Sequence, residues 1–303
     1  MDAAPRWTSG DHRDHGDHGD IVVGLASHDG WERPLDWAVD EARLEGRDLT
    51  IVHAMDGPES LWRTPAGHEG RIGVLDRPAR PQLFLDDARA HALLRAPGLI
   101  VHEVLHSGGP REVLAATASD AHLLVIGARH RRHLWSRLVG SVSASIARRP
   151  PSAVVVVHAY RRGDGHDGHD GVLVGVDDTG GSQSALRFAF AQASLRGWPL
   201  TVMHVAPERI SAGRLQEPAG EERLHLANAL AGASEDHPDV VVRTAVEQGD
   251  PARRLLEAGR TMALVVVGAH HGRAISDVLV GSVVMPVVEL ARCSVAVVPH
   301  RAP

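Results

Sequence analysis

Apolar residues in this chain fall into two rhythms. Short runs such as IVVGL at 21–25, LLVI at 123–126, VLVGV at 172–176 and LVVV at 264–267 are almost wholly aliphatic. Between them lie longer stretches, such as 33–45 and 182–195, where apolar residues recur every three or four positions. The first rhythm predicts strands buried on both faces, and the second predicts amphipathic helices. Their alternation predicts an α/β fold in which helices cover both sides of a parallel sheet. Strands are expected at 21–25, 49–54, 99–105, 123–126 and 153–158, and again at 172–176, 200–205, 240–246, 264–267 and 294–298.

That series of ten is one series of five written twice. IVVGLASHDGWERPLDWAVDEARLEGRDLTIVHA, starting at Ile21, matches VLVGVDDTGGSQSALRFAFAQASLRGWPLTVMHV, starting at Val172, at an offset of 151. GARHRRHLWSRLVGS, starting at Gly127, matches GAHHGRAISDVLVGS, starting at Gly268, at an offset of 141. The first copy therefore carries ten extra residues (151 − 141), which the Gly/Pro-rich segment DGPESLWRTPAGHEGRIGVLDRPARP accommodates as a surface excursion. Internal duplication at this scale predicts two tandem domains. The expected boundaries are a His/Asp/Gly-rich tail at 1–19, a first domain at 20–159, a linker at 160–170 and a second domain at 171–303. Pro286 falls inside the last expected helix, where Ser145 stands in the first copy, and predicts that this helix starts late or bends.

Composition narrows the chemistry. The formal net charge of −6 argues against a general nucleic-acid binder. There is no lysine among the 32 basic residues, which removes Schiff-base chemistry and the P-loop lysine. No apolar run reaches the length of a membrane span, and the first twenty residues hold no signal-peptide core, so a cytoplasmic location is expected. The single cysteine, Cys293, precedes an aliphatic run and is expected to be buried and structural. No Ser-His-Asp order, paired carboxylates in a shared motif or Cys/His metal spacing emerges, which predicts a protein that is not an enzyme.

An open parallel sheet carries its binding crevice at the C-terminal strand ends, where the winding reverses. If the first strand neighbours the fourth, Asp177 confronts the glycine loop that begins at Gly268. Gly281 and Ser282 are expected to open the following helix, whose free N–H groups suit a phosphate. Asp177 could accept hydrogen bonds from ribose hydroxyls or an adenine amine. Gly-Ser before a helix is equally a plain N-cap, so the residues alone leave a structural reading open.

Several of these residues together resemble the universal stress protein family. They are a loop of Gly, two residues, a variable residue and nine more before Gly-Ser, an opening strand ending in Val-Asp, a His-Val closing the second strand, and Gly-x-Pro before the third helix. The resemblance covers nearly the whole chain, twice over. It implies two doubly wound five-stranded parallel sheets of order 3-2-1-4-5 and, in the nucleotide-binding branch, ATP in the crevice, with Mg²⁺ as its counter-ion. Carried onto this sequence, it implies Asp177 and Val205 near base and ribose. It also implies Val267, Gly268, His271, Gly272, Gly281, Ser282 and Val283 along the sugar and phosphates. The first copy offers Gly127, His130, Gly140, Ser141 and Val142, but Ala26 replaces the aspartate, so the second domain is expected to bind. His130 and His271 stand where the family has a glycine, which crowds the phosphate path; a protonated imidazole could instead contact a phosphate.

Two readings therefore stand from different classes. One is a non-enzymatic, adenine-nucleotide-responsive stress protein with protein partners. The other is a nucleotide-free pseudo-dimeric interaction module. Slow ATP hydrolysis is a third, with no base evident. The terminal strands at 153–158 and 294–298 need cover and, by the resemblance, pair across the domain interface or between chains in a homodimer. DHRDHGDHGD and RRGDGHDGHDGV read as solvated linkers, with metal chelation as the alternative, and RHRRHLWSR reads as a charged loop. His53 and His204 are expected to be structural or crevice-lining.

Overall fold

Each half of the chain begins with the same device. An aliphatic strand, β1 (Ile21–Leu25) or β6 (Val172–Val176), leads into a helix, α1 (Glu32–Glu45) or α5 (Ser182–Arg196). A glycine in the left-handed region follows each helix: Gly46 with φ 67° and Gly197 with φ 65°. That conformation costs a side chain but not glycine, so the helix stops there and the chain turns into the next strand. The computed structural model describes residues 19–26, 30–55, 81–128, 140–158, 171–177, 182–206, 210–211, 214–215, 220–269 and 277–300. The tail, the linker, the excursion after Asp56, the basic loop, His130, His271 and Gly272 lie outside the described residues.

The first half continues as β2 (Leu49–Met55), α2 (Pro81–Arg95), β3 (Val101–Ser107), α3 (Pro110–Thr117), β4 (Leu123–Gly127), α4 (Ser141–Arg148) and β5 (Ala153–Val157). The second continues as β7 (Leu200–Ala206), a short hairpin β8 (Ile210–Ser211) and β9 (Arg214–Leu215), then α6 (Gly220–Asp236) and β10 (Val242–Gln248). It ends with α7 (Pro251–Ala258), β11 (Leu264–Ala269), α8 (Asp277–Leu290) and β12 (Ser294–Pro299). The main strands join into one ten-stranded sheet, β10-β7-β6-β11-β12-β5-β4-β1-β2-β3. Each half is parallel with order 3-2-1-4-5, as expected. The seam between halves is the antiparallel pair β5–β12, with Val156 opposite Val295, Val155 opposite Ala296 and Val154 opposite Val297. Of the two ways to cover the terminal strands, the chain uses its own other half.

Alternate side chains of the sheet build two cores, one on each face. One gathers Ile21, Val23, Leu35, Leu85, Leu186, Phe190 and Leu230 from strands and from α1, α2, α5 and α6. The other gathers Val22, Leu114, Leu124, Ile146, Leu255, Val287 and Val295 under α3, α4, α7 and α8. Both run through the seam. Gly24 and Gly175 sit mid-strand because the third helix of each half presses a leucine on them. A Cβ at Gly24 would lie 2.7 Å from a Leu114 methyl, and one at Gly175 would lie 3.0 Å from a Leu255 methyl.

Polar contacts also cross between α1 and α5. Glu41, wholly buried, accepts from Gln192 Nε2 at 2.5 Å and from the Arg196 guanidinium. Arg196 lies between Trp37 and Trp198, its Cζ 5.3 Å and 5.4 Å from the two ring centroids. Glu45 meets His122 at 2.9 Å and Arg47 at 2.5 Å.

Three boundaries differ from expectation. Strands β3 and β10 begin two residues late, because Leu99 and Val240 close turns onto Ala96 and His237 and spend their apolar side chains packing against the core. The hairpin β8–β9 carries too little periodicity to predict. Helix α8 starts at Asp277 and runs through Pro286, so it starts early rather than late.

Candidate functional site

The strand tips at the winding reversal part differently in the two halves. Strands β1 and β4 stay paired to Gly24–Ile126. Strands β6 and β11 stay paired only to Val174–Val266, one step less. Beyond that step each keeps its outer neighbour. Strand β6 follows β7 to Val176–His204, and β11 follows β12 to Ala269–Pro299. A wedge therefore opens between Gly175–Asp177 and Val267–Ala269, where a doubly wound sheet receives ligands.

Asp177 stands on the exposed lip of this wedge. Its Oδ1 accepts from Ser182 Oγ at 2.6 Å, and its own N–H donates to the same hydroxyl at 2.9 Å. The first residue of α5 is thereby tied to the carboxylate, which is held in place. In the first half both members are gone: Ala26 stands for Asp177, and Trp31, at the 151 offset, stands for Ser182. Trp31 instead packs edge-on against Phe84 and His91, at 5.6 Å and 5.4 Å. The paired loss is one that no scan for isolated acidic residues would notice.

The histidines at the second strands are a matched structural pair. His53 Nδ1 lies 3.0 Å from the Leu25 carbonyl, and His204 Nδ1 lies 3.2 Å from the Val176 carbonyl. A carbonyl only accepts, so Nδ1 carries the proton in both. Each ring ties the tip of the first strand to the second. Val267 is buried in the core of that face, and Val205 and Val283 pack against it from β7 and α8, so the wall below the wedge is apolar.

At the helix mouths the halves exchange strengths. In the first half Gly140 caps α4 in an extended conformation, and the first helical bond runs from Ala144 N–H to Gly140 O at 2.9 Å. The N–H groups of Ser141, Val142 and Ser143 precede it. Ser143 Oγ donates to the Gly127 carbonyl at 2.9 Å, joining β4 to the helix mouth. In the second half Gly281 and Ser282 do not open α8; they are its fifth and sixth residues. Their N–H groups are spent on Asp277 and Val278 within the helix. The sequence supplies the reason. Asp277 suits the positive end of a helix, whereas the first copy has Ser136-Arg137 at the matching place, with a cation one turn before Gly140. The structure places Val205, Val267 and Val283 in one core, leaves Asp177 and Gly268 at the ends of the neighbouring strands β6 and β11, and sets Gly281 and Ser282 one turn into the helix. Among the described residues no three His, Cys, Asp or Glu side chains converge as a metal site. Cys293 is buried, which pushes its thiol up to about 12. No helix among the described residues is long and apolar enough to cross a membrane.

A family model described as the universal stress protein family matches residues 19–158 and 169–299. A universal stress protein of Mycolicibacterium smegmatis is 32% identical over 293 residues, covering 93% of this chain and 97% of that protein. One of Mycobacterium tuberculosis is 33% identical, covering 91% and 94%. Among solved structures, a universal stress protein from Archaeoglobus fulgidus superposes with a TM-score of 0.66 at 15% identity, covering 93% and 96%, which speaks to the fold alone.

Proposed function

The chain belongs to the universal stress protein family, and from that premise we propose that it is a stress-response regulator that binds an adenine nucleotide, ATP, mainly through its second half. The observation that carries this reading is the wedge between β6 and β11 with Asp177 fixed on its lip. Asp177 accepts from ribose hydroxyls or the adenine amine. Val205 and Val267 supply an apolar wall for the base, and Gly268 lets backbone approach the sugar. The phosphates run toward His271, Gly272 and the start of α8. Using the N–H groups of Gly281 and Ser282 requires the first turn, Asp277–Val280, to open. With Asp177 the carboxylate at the wedge among the described residues, Mg²⁺ arrives held by the phosphates rather than by a protein cage. The nucleotide then biases contacts with protein partners rather than undergoing turnover. The first half, with Ala26 and Trp31, keeps the helix mouth of Gly140 and Ser141 without the carboxylate and serves as scaffold.

The early start of α8 favours a second reading, in which the second-half helix mouth is not available to a phosphate and the chain is a nucleotide-free interaction module. Heat-extracting the purified protein and resolving the supernatant by anion exchange separates them. Co-purified adenine nucleotide, and a melting shift with ATP and Mg²⁺, support binding. An empty extract and no shift at millimolar ATP select the module.

A further inference from the structure

The seam between halves obeys a two-fold axis. At the 141 offset, Val155 corresponds to Ala296 (155 + 141 = 296), and these two residues face each other in the β5–β12 ladder. At the 151 offset, Glu41 corresponds to Gln192 (41 + 151 = 192), and these also meet each other. A residue that contacts its own equivalent lies on the axis. The axis therefore crosses the sheet at Val155–Ala296 and leaves one face between Glu41 and Gln192.

The ladder at this axis is valine and alanine throughout, so it carries no polar or charged group that could select a partner. The polar layer differs. The first half brings Glu41 and Glu45; the second brings their equivalents Gln192 and Arg196. Glu41 is 0% exposed, Gln192 1% and the Arg196 side chain 9%, so water does not screen the choice. Glu41 accepts from both partners, while Arg196 also donates to Gln192 Oε1 at 2.8 Å and rests on Trp37 of the first half. If two first halves met through the same axis, Glu41 would oppose Glu41 in a dry layer with no Arg196 to face either carboxylate. If two second halves met, two guanidinium groups and two carboxamides would be buried without an acid. Leaving buried charge unpaired is among the costliest errors an interface can contain.

We propose that the Glu41–Gln192–Arg196 cluster is the pairing code of this chain: it makes the first half fit the second and reject a second copy of itself. The apolar ladder supplies adhesion, and the cluster supplies the choice, by the unpaired charge it imposes on the wrong pair. The duplicated halves have thereby become complementary, and β5 and β12 close on each other within one polypeptide rather than offering an edge to a second copy. This stands apart from nucleotide binding, because the cluster lies on the α1–α5 face of the seam and not at the wedge.

The test exchanges the two residues on the axis in the full chain. Gln192→Glu recreates the acid-against-acid contact, and Glu41→Gln removes the negative charge that faces Arg196. The double variant E41Q/Q192E restores one carboxylate and one carboxamide in mirrored positions, with Arg196 still in reach of the acid. Calorimetric melting at pH 8, where a shared proton cannot rescue paired acids, gives the expected outcome. Gln192→Glu melts about 5–10 °C below the unaltered chain, and the exchange recovers more than half of the summed loss of the single variants. An exchange no more stable than that sum would overturn the proposal, as would Gln192→Glu melting within a degree of the unaltered chain. If Gln192→Glu fails to fold, comparing Glu41→Gln with the exchange decides it: an exchange that melts above Glu41→Gln supports the code, and one that melts below it does not.

Discussion

Replacing Asp177 with Ala removes two interactions whose sizes differ enough to be read separately. In the free protein the carboxylate holds the Ser182 hydroxyl at 2.6 Å and so anchors the entry to α5. Loss of such a capping contact costs roughly 1 kcal/mol, which lowers the melting temperature by only a few degrees in a chain of this size. In the complex the carboxylate is a charged acceptor on the lip. A hydrogen bond to a charged group contributes about 1.5–3 kcal/mol, so affinity should fall about tenfold to a hundredfold. The assay is the ATP-induced melting shift, measured for each protein against its own ligand-free baseline. At a ligand concentration 100 times the unaltered chain's Kd, binding adds about 2.7 kcal/mol, a shift of roughly 5 °C or more. A tenfold to hundredfold weaker variant retains about 1.4 to 0.4 kcal/mol at that concentration, roughly 1–3 °C. Gly140→Ala is the control. Its φ of −60° and ψ of 152° suit any residue, and the first half is assigned no carboxylate-anchored ligand, so its shift should match that of the unaltered chain. A full shift in Asp177→Ala, or its loss in Gly140→Ala, refutes the assignment of the site to the second half.

Glu45 sets an acid limb. Burial opposes its ionisation, yet hydrogen bonds with His122, Glu41 and Arg47 hold it at about 2, below its ordinary 4.5. The unfolded chain then binds more protons than the folded one between those values, so stability is present above about 4.5 and drains as pH falls toward 2. Glu41 is displaced upward, chiefly by burial, and acts in the opposite sense. Glu45→Gln should flatten the loss of stability over that window in acid titrations followed by circular dichroism; an unchanged limb contradicts it. Cys293, 2% exposed with its thiol pushed up to about 12, should react with a thiol-specific chromogen at pH 8 only as the chain unfolds, and prompt labelling of the native protein would refute its burial. Gly24→Ala drives a Cβ to 2.7 Å and 2.9 Å from the Leu114 methyls. It should cost about 1–3 kcal/mol in urea unfolding. Pairing it with Leu114→Ala should give a double variant less destabilised than the sum by at least about 0.5 kcal/mol.

How much of this was legible in the sequence depended on whether the signal was repeated or relational. The strand runs were written twice, so their number, order of appearance and parallel direction could be read directly. Strands β3 and β10 slipped by two residues for a shared reason: Leu99–Ile100 and Val240–Val241 look like strand but lead into it. That the first strand neighbours the fourth could be read from the doubly wound pattern, and Asp177 stands at the tip of the first strand of the second copy, where the first copy has Ala26. Its clamp to Ser182 was not, because the matching Trp31 carries no trace of a lost hydroxyl unless both positions are compared together. The start of α8 differs from expectation because Gly-Ser reads as a helix opening, and only the acid at Asp277, where the first copy has Ser136 followed by Arg137, marks where the second helix begins. Glu41, Gln192 and Arg196 are polar positions in helical stretches, and nothing in the sequence marks them as buried. Their burial follows from the other half of the chain arriving on that face, which no local pattern in α1 or α5 encodes.

The central claim is tested most directly by the crystal structure of the chain soaked with ATP and Mg²⁺. The account predicts adenosine density in the second half, with Asp177 within hydrogen-bond distance of the ribose or the adenine amine and Val205 and Val267 against the base. Density seated in the first half beside Ala26 and Gly127, or a second-half wedge that stays empty at saturating nucleotide, contradicts it.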